Sequence, residues 1–257
     1  MLCFGKTDVG KKRNVNQDSF KSTVINSTTV LAVVCDGMGG AAGGGVAGNL
    51  AAETFTQFVS DHITELAKKK SLSRNDEHKI RGILVNAAAS ANSAVFERAT
   101  SDVSLHGMGT TLVATLAICG MLFTVNIGDS RMYLISEGSI RQITHDHSYV
   151  QYLVDTGRLS PEDAKKSTNR NIITRAVGTD RTVEADVFIN KAIHGNFVLL
   201  CSDGLVNHVP ADKIYAAVDD IGDDVCEESI NRCLELLINE ANDCGGSDNI
   251  TAMIMAI

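Results

Sequence analysis

The sequence has few of the features that separate domains. Only two prolines occur among its 257 residues, and no Pro- or Ser-rich stretch divides the chain. With 44% hydrophobic residues, the chain has enough apolar content for a packed core. We therefore predict one domain over residues 1–257.

Basic and apolar runs are also short. The longest basic run is Lys68–Lys70 and the net charge is −8, so the basic face that nucleic acid or an anionic membrane needs is not expected. No apolar run approaches the ~18 residues of a membrane span, and the N-terminal segment lacks the apolar core of a signal peptide. Neither nucleic acid nor membrane is expected as a partner, whereas clustered acidic groups suit divalent cations.

The cysteines lack a pairing pattern. There are seven, an odd number, with no C-x-x-C spacing, and Cys35, Cys119 and Cys201 lie in apolar runs, where we expect small buried hydrophobes. Reduced thiols are typical of the cell interior. We predict a cytoplasmic protein, with a monomer as the default oligomeric state.

Hydrophobic periodicity predicts groups of strands separated by pairs of helices. A first helix over 42–60 is expected to bury Val46, Leu50, Thr54 and Phe58. A second helix over 75–99 is expected to bury Ile80, Leu84, Ala88, Ala91 and Val95. The remaining predicted elements are strands at 2–8, 19–25, 30–35, 110–118, 121–127, 131–135, 140–144, 183–189, 197–201 and 249–257, and helices at 211–218 and 225–240. Because strands and helices do not alternate, two antiparallel sheets covered by helix pairs fit better than a doubly wound sheet.

The polar stretch at about 146–180 is predicted to be a lid over the surface, with short helical pieces. It carries several basic residues: Lys165, Lys166, Arg170 and Arg175. These side chains could meet acidic or phosphorylated substrate segments, and ordinary surface charge explains them equally well.

Two histidines stand where this lid begins. His145 and His147 flank Asp146, which could suggest a metal site or an acid–base pair. Loop histidines usually stay solvated, so two exposed loop histidines are the simpler interpretation.

Five aspartates share one setting, at an end of a predicted strand: Asp18, Asp36, Asp129, Asp203 and Asp248. Carboxylates at neighbouring strand ends can converge, and their repulsion then requires compensating cations. Hard ions such as Mg²⁺ or Mn²⁺ prefer such oxygen ligands. Any single Asp-Gly or Gly-Asp pair would pass for an ordinary turn, but the repeated setting favours a metal site.

Arg13 adds a group that suits phosphate. It lies five residues before Asp18, and a guanidinium can hold two phosphate oxygens at once. Taken alone, an ordinary surface arginine would be the simpler interpretation.

Short motifs that contain these residues follow one another along the chain: Arg13-Asn14-Val15-Asn16-Gln17-Asp18, Cys35-Asp36-Gly37-Met38-Gly39-Gly40, Gly109-Thr110-Thr111, Gly128-Asp129-Ser130-Arg131, Cys201-Ser202-Asp203-Gly204-Leu205 and Ser247-Asp248-Asn249-Ile250-Thr251. In this order and spacing, the sequence resembles the metal-dependent Ser/Thr protein phosphatase family, the protein phosphatase 2C type, from about Thr7 to the C-terminus. The compact length resembles stand-alone bacterial members that oppose membrane-bound Ser/Thr kinases.

The resemblance implies a fold and a metal site. The fold is α+β, a four-layer α-β-β-α sandwich in which two mostly antiparallel sheets are flanked by helix pairs. The cofactors are two Mn²⁺ or Mg²⁺ ions bridged by Asp36. The Gly37 carbonyl, Asp203 and Asp248 complete their inner shell.

The same resemblance implies the chemistry. Asp18 would hold metal-bound water, and Asp129 would help Asp203 bind a third ion. Arg13 would hold the substrate phosphate, so Arg13, Asp18 and Asp36 are the expected catalytic residues. Two cations lower the pKa of a shared water, and the resulting hydroxide attacks phosphorus in line. Expected partners are phosphorylated proteins, including substrates of a Ser/Thr kinase and the kinase itself.

Three positions depart from the pattern of some family members. Gln17 replaces a glutamate, so the second ion's shell is expected to hold more water. Met38 stands where some members have a histidine proposed as general acid, so the leaving group must take its proton from elsewhere, such as water. Asn207 replaces an acidic residue near the third ion.

Other functions compete with this interpretation. The segment Gly37–Ala42 follows a strand, opens a helix and formally fits the G-x-G-x-x-A pattern of dinucleotide-binding domains, although Asp36 would repel a pyrophosphate. A non-catalytic regulator that binds phosphoproteins through the same fold is a second alternative. A phosphorylated small metabolite is a third, since the motifs fix the chemistry better than the substrate.

Overall fold

The computed structural model describes residues 1–222 and 224–257, with the side chains of residues 41, 42, 165 and 166 left out. The strands are β1 (Leu2–Asp8), β2 (Asp18–Asn26), β3 (Thr29–Met38), β4 (Gly109–Thr110), β5 (Leu112–Ile118), β6 (Met121–Ile127), β7 (Arg131–Ser136), β8 (Ser139–Gln142), β9 (Asp186–Lys191), β10 (Phe197–Cys201) and β11 (Ile250–Ala256). The helices are α1 (Gly40–Ala67), α2 (Arg74–Ser101), α3 (Tyr149–Asp155), α4 (Pro161–Lys166), α5 (Asp203–Val206), α6 (Ala211–Asp219) and α7 (Glu227–Asp243), and a 3₁₀ turn lies at Val103–Leu105.

The strands form two sheets. One has the order β1-β11-β10-β7-β8, and the other has the order β2-β3-β5-β6-β9 with β4 paired to the end of β3. The strand pairs of both sheets are antiparallel. This topology excludes the dinucleotide-binding alternative, because that fold needs a parallel β-α-β unit after the glycine-rich turn, whereas α1 is followed by α2.

The apolar run of β3 shows why the layers stack. Its alternate residues Leu31, Val33 and Cys35 pack in the core between this sheet and the helices α1 and α2. The intervening residues Val30, Ala32 and Val34 pack in the core between the two sheets. A third core lies between the other sheet and α6–α7. Since side chains alternate between the faces of a strand, a strand buried on both faces is apolar throughout. The predicted four-layer α-β-β-α sandwich is confirmed.

Helix α1 buries a different face from the predicted one. Ala47, Ala51, Phe55, Val59 and Ile63 are fully buried, whereas Val46 is 37% exposed. The prediction left out Ala47 and Ala51, whose small side chains let the helix approach β2 and β3 closely, and Phe55, Val59 and Ile63 continue the same face. The predicted face of α2 is confirmed, with Ile80, Leu84, Ala88, Ala91 and Val95 all buried.

The end of β3 also differs from the prediction. A loop was expected directly after Cys35, but the strand continues to Met38 because Gly37 and Met38 pair with Thr110 and Gly109 of β4. Asp36 therefore projects from a paired strand and not from a free loop.

The segment 146–180 contains α3, α4 and irregular chain. Two isolated bridges tie it to itself and to the sheet, Ser148 to Ile173 and Val177 to Thr110. The side chains of Lys165 and Lys166 lie outside the described part of the chain. Arg175 Nη1 donates to Asp186 Oδ1 at 2.8 Å, which indicates a structural ion pair. The movement of this segment as a lid stays a prediction.

The interpretation of His145 and His147 as two exposed loop residues is wrong for His147. His147 is buried, and its backbone N–H donates to the Gly128 carbonyl at 2.9 Å. The Gly128 N–H donates to His147 Nδ1 at 3.1 Å, and Nε2 lies 3.2 Å from Asp186 Oδ2 and 3.1 Å from Arg175 Nη1. His145 is exposed as expected.

Within residues 1–222 and 224–257, no helix is both long and apolar enough to cross a bilayer.

Candidate active site

Both sheets end at one cleft of about 590 Å³. Asp36 lies near the end of β3, and Asp18 at the start of β2 is its partner in the ladder. Asp203 begins α5 directly after β10, Asp129 lies in the turn between β6 and β7, and Asp248 shortly precedes β11. The lining of the cleft includes the predicted residues Arg13, Asp36, Gly37, Asp129, Asp203 and Asp248. Four of the five strand-end aspartates therefore meet at the cleft, while Asp18 pairs with Asp36 in the ladder and is not one of the lining residues. The role of each stays a prediction.

The carboxylates repel one another in a poorly hydrated setting. Loss of hydration, followed by the charges of Asp18 and Asp203, holds the pKa of Asp36 well above its usual range. Burial raises the pKa of Asp18 to about 6, and burial with the charge of Asp203 raises the pKa of Asp129 to about 8. The pKa of Asp203 is also raised, first by burial and then by Asp248. Added positive charge would lower all of these pKa values.

Asp18 is held by hydroxyl groups on one oxygen. Thr251 Oγ1 donates to Asp18 Oδ2 at 2.7 Å and Ser202 Oγ donates to the same oxygen at 2.8 Å. Within the described residues, Asp18 Oδ1 and Asp203 Oδ1 are buried without a hydrogen-bond partner. Buried carboxylate oxygens without partners are unfavourable, so these two atoms fit a site that takes up hard cations or ordered water.

The residues present fit ions that keep part of their water shell. Among the side chains that the structure describes, no three of His, Cys, Asp and Glu come close enough to ligate one ion by themselves. Mg²⁺ is commonly bound through one or two carboxylates with water completing its octahedron. The donor set of carboxylates and a backbone carbonyl suits Mg²⁺ or Mn²⁺ and not a thiolate-bound metal.

Arg13 lies at the mouth of the cleft. Its Nη2 donates to Asp248 Oδ2 at 2.9 Å, and its side chain is 52% exposed. A guanidinium has five N–H donors, so this ion pair leaves most of them facing solvent. Arg13 therefore links one of the clustered carboxylates to the opening through which a substrate would enter.

Close backbone packing places Gly37. A Cβ on Gly44 of α1 would lie 2.6 Å from the Gly37 carbonyl oxygen, and a Cβ on Gly37 would collide with the Gly44 carbonyl. The first turns of α1 therefore rest directly on the end of β3.

The turn that carries Asp129 is held by an ion pair. Arg131, two residues after Asp129, donates from Nε to both carboxylate oxygens of Asp146 at 3.0 Å.

The three departures from the family pattern all lie at this site. Gln17 Nε2 donates to the Gly40 carbonyl at 2.8 Å, so this amide joins the arginine-bearing loop to the start of α1. Asn207 Nδ2 donates to Asp203 Oδ2 at 3.0 Å. Met38 lines the cleft. Each replacement thus contributes a neutral group near the carboxylates.

Sequence reasoning missed the polar residues that support the aspartates. Ser202 and Thr251 hold Asp18, and the backbone N–H of Asp36 donates to Thr111 Oγ1 at 2.9 Å. Asn249 bonds to three groups of the segment 9–17. All four stand inside the quoted motifs, and Ser202, Asn249 and Thr251 stand within three residues of an aspartate, but nothing in the local pattern named their partners.

This geometry defines the class of protein: a four-layer α+β sandwich with an acid-lined cleft where both sheets end. The family model for protein phosphatase 2C matches residues 9–235. The serine/threonine phosphatase stp of Listeria welshimeri is 34% identical over 250 residues, which cover 97% of this chain and 93% of that protein. The chain belongs to the protein phosphatase 2C family.

Solved structures agree with this assignment. Serine/threonine phosphatase Stp1 from Staphylococcus aureus superposes with a TM-score of 0.80 at 34% identity, over 99% of this chain and 94% of that chain. The catalytic domain of the serine/threonine protein phosphatase PstP, in complex with two manganese ions, gives a TM-score of 0.80 at 32% identity, over 98% of this chain and 96% of that chain.

Proposed function

We propose that this chain is a divalent-metal-dependent protein phosphatase that hydrolyses phosphoserine and phosphothreonine on other proteins. The observation that carries the proposal is the convergence of Asp36, Asp129, Asp203 and Asp248 on the cleft that Arg13 borders. The similar proteins named as serine/threonine phosphatases support the same reaction. The neighbour with two manganese ions supports Mn²⁺ or Mg²⁺ as the cofactor.

The residues of the cleft divide into metal-holding and substrate-holding groups. Asp36, the Gly37 carbonyl, Asp203 and Asp248 would hold two ions, with Asp129 and Asp203 available for a third. When bound, the ions supply Lewis acidity, which lowers the pKa of water and offsets negative charge on the phosphoryl oxygens.

Arg13 and Asp18 act on the phosphate and the attacking water. The exposed donors of Arg13 bind two phosphate oxygens and hold phosphorus for in-line attack. Thr251 and Ser202 occupy Asp18 Oδ2, which leaves Oδ1 without a partner. We propose that Oδ1 would accept a hydrogen bond from the attacking water and orient that water toward phosphorus.

The leaving hydroxyl of serine or threonine needs a proton. Among the described residues that line the cleft there is no histidine, and Met38 occupies the position next to Gly37. A thioether carries no proton to donate. We propose water in the open cleft as the source of this proton.

We propose phosphorylated proteins as the physiological substrates. A Ser/Thr kinase would phosphorylate these proteins and itself. Both would present the dianionic phosphate that Arg13 and the ions bind. We propose a monomeric enzyme, and a cytoplasmic location stays a prediction.

The test is hydrolysis of matched phosphoserine, phosphothreonine and phosphotyrosine peptides during metal titration. We expect hydrolysis of the first two, no turnover in EDTA, and recovery with Mn²⁺ or Mg²⁺. Asp203→Asn should lower kcat/KM by more than about 100-fold, because loss of outer-shell partners alone costs about 10–100-fold at metal sites. Mn²⁺ binding measured by calorimetry should weaken in the same variant.

Asp61→Asn is the matched control. Asp61 is exposed on α1, where it accepts a hydrogen bond from Gln57, so the same change of charge there should leave turnover and Mn²⁺ affinity intact. Turnover that persists in EDTA would refute metal dependence. Tight binding of a phosphopeptide without hydrolysis at any metal concentration would favour the non-catalytic regulator instead, and hydrolysis of phosphorylated metabolites alone would favour a metabolic enzyme.

A further inference from the structure

The segment from Val9 to Gln17, here called the arginine loop, joins β1 to β2 and carries Arg13. Its residues 11–15 are exposed, so burial does little to fix their position. A loop without a buried face must be ordered by hydrogen bonds to offset the conformational entropy that it loses. The hydrogen bonds of this loop therefore fix the position of Arg13.

One side chain from the other end of the chain makes the central contacts. Asn249 is 5% exposed and lies directly after Asp248. Its Oδ1 accepts a hydrogen bond from the Gln17 N–H at 2.8 Å. Its Nδ2 donates to the carbonyls of Val9 and Val15, both at 3.0 Å. Both ends of the arginine loop are thus bonded to a single planar amide.

Backbone contacts bring the same two segments together. The N–H groups of Lys11 and Lys12 donate to the Gly246 carbonyl at 2.8 Å and 3.2 Å. Gly10, with φ of +77°, lies so close to the Asp248 carbonyl that a Cβ would not fit. These contacts fix the first half of the loop. The Asn249 amide binds the second half of the loop, at Val15 and Gln17, which follow Arg13 in the sequence.

We propose that Asn249 is a positioning residue that sets Arg13 for phosphate through the arginine loop. The inference rests on the proposed function, because it gives Arg13 the phosphate. The chemistry at position 249 is specific, since the site needs one acceptor and two donors in a plane. A carboxylate would face two carbonyl oxygens there, and a methyl group would leave the Gln17 N–H and the Val9 and Val15 carbonyls without this partner.

The test compares Asn249→Ala and Asn249→Asp with the wild type. We expect KM for a phosphothreonine peptide and the inhibition constant of inorganic phosphate each to rise about tenfold or more, because a small misplacement of a binding group is costly. Mn²⁺ affinity should change far less than phosphate affinity. Asn249→Asp should fail to restore phosphate affinity although its size is unchanged.

A double-mutant cycle with Arg13→Ala separates positioning from general damage. If Asn249 acts through Arg13, Asn249→Ala should change phosphate affinity little in the Arg13→Ala background. Equal effects in both backgrounds would overturn the proposal. Asn26→Ala is the matched control. This asparagine donates to the Ala67 carbonyl at 2.9 Å, away from the cleft residues, so its loss should lower stability and leave phosphate affinity unchanged.

Two further measurements distinguish a loss of positioning by Asn249 from a loss of folding and from a failure of the proposed function. If both Asn249 variants fail to fold, amide exchange in the wild type still tests the contact, since the Gln17 amide should be protected and rapid exchange there would refute it. If the wild type hydrolyses no phosphopeptide, the proposed function fails. The positioning role is then decided by calorimetric binding of inorganic phosphate to the same variants in Mn²⁺, where unchanged affinity would overturn it.

Discussion

Gly44 and Gly37 allow the backbone of α1 to touch the backbone of β3 beside Asp36. The Gly37 carbonyl proposed as a metal ligand is thus held by a helix that begins two residues after Met38. Side chains larger than hydrogen would separate these two elements. The position of the carbonyl therefore depends on a residue that has no functional group.

Alanine substitution at two helical glycines tests this contact. Gly44→Ala should destabilise the protein by about 1–3 kcal/mol, since its Cβ meets backbone that cannot rotate away. Gly82→Ala on α2 should stabilise it by about 0.5–1 kcal/mol, because no atom lies within 4 Å of the added Cβ and alanine favours helix. Denaturant unfolding and Mn²⁺ calorimetry measure both. A neutral Gly44→Ala with wild-type Mn²⁺ affinity would contradict the role of this packing.

The residues of the site divide into those that the sequence reveals and those that it does not. The aspartates could be predicted because each follows or precedes a buried strand, a purely local signal. Ser202 and Thr251 could not, because their hydrogen bonds to Asp18 span 184 and 233 residues. Asn249 reaches Val9 across 240 residues. Such partners depend on how the two sheets meet, and that is not encoded near any one of them.

At the scale of elements, the errors arise where tertiary contact overrides local pattern. Most strands and the face of α2 could be predicted from periodicity, since their apolar residues are also their buried residues. The face of α1 could not, because the small Ala47 and Ala51 lie on the buried face while the larger Val46 is 37% exposed. The length of β3 depends on β4, a strand of two residues that no periodicity could reveal.

The start of the segment 146–180 is attached to the rest of the fold through His147 and Asp146. The sequence alone left the role of His147 open. His147 fastens this segment to the turn that carries Asp129, through bonds in both directions with Gly128. Asp146 reinforces this attachment through its paired contacts with Arg131. Movement of the segment would therefore pivot beyond His147 and leave the Asp129 turn in place.

This attachment should make stability depend on pH. Burial lowers the pKa of His147 and outweighs the opposing hydrogen bond to Asp186, while Arg175 and His145 add positive charge nearby. The unfolded state, with a histidine pKa of ~6.5, then binds more protons than the folded state. The unfolding free energy should fall as the pH drops below that value, because protonated Nδ1 can no longer accept from Gly128.

Denaturant unfolding between pH 7 and pH 5 measures this effect in the wild type and in His147→Gln. The variant should be less stable at neutral pH and should lose less stability on acidification. His145→Gln is the control, because His145 is exposed and its pairing with Asp155 lies at the surface. Parallel pH curves for the wild type and His147→Gln would refute the contribution of His147.

At the scale of the whole molecule, three cores stabilise the sandwich while the cleft opposes it. The two helix–sheet cores and the core between the sheets are composed of buried apolar side chains. The cleft instead gathers carboxylates whose pKa values the fold raises. A cluster of carboxylates that suits cations is thus a local source of instability, which the rest of the fold offsets.

Asp36→Asn tests this balance between stability and metal binding. The folded pKa of Asp36 is raised above its unfolded value of ~3.9, so its favourable contribution is present below that pH and is lost as the pH rises through the folded pKa. Ionisation of Asp36 therefore opposes folding, and replacing the carboxylate removes this cost. In EDTA, the neutral amide of the variant should therefore raise the unfolding free energy by about 0.5–2 kcal/mol, or Tm by about 2–4 °C per kcal/mol.

Added Mn²⁺ should reverse the order of the two proteins. An ion that binds only the folded state stabilises it by about 2.7 kcal/mol at 100 times its Kd, and the wild type should gain this increment while Asp36→Asn gains much less. Thermal unfolding in EDTA and across a Mn²⁺ titration measures both proteins. A lower Tm for the variant in EDTA would mean that Asp36 stabilises the metal-free fold. Equal Mn²⁺-dependent shifts would mean that Asp36 is not a ligand.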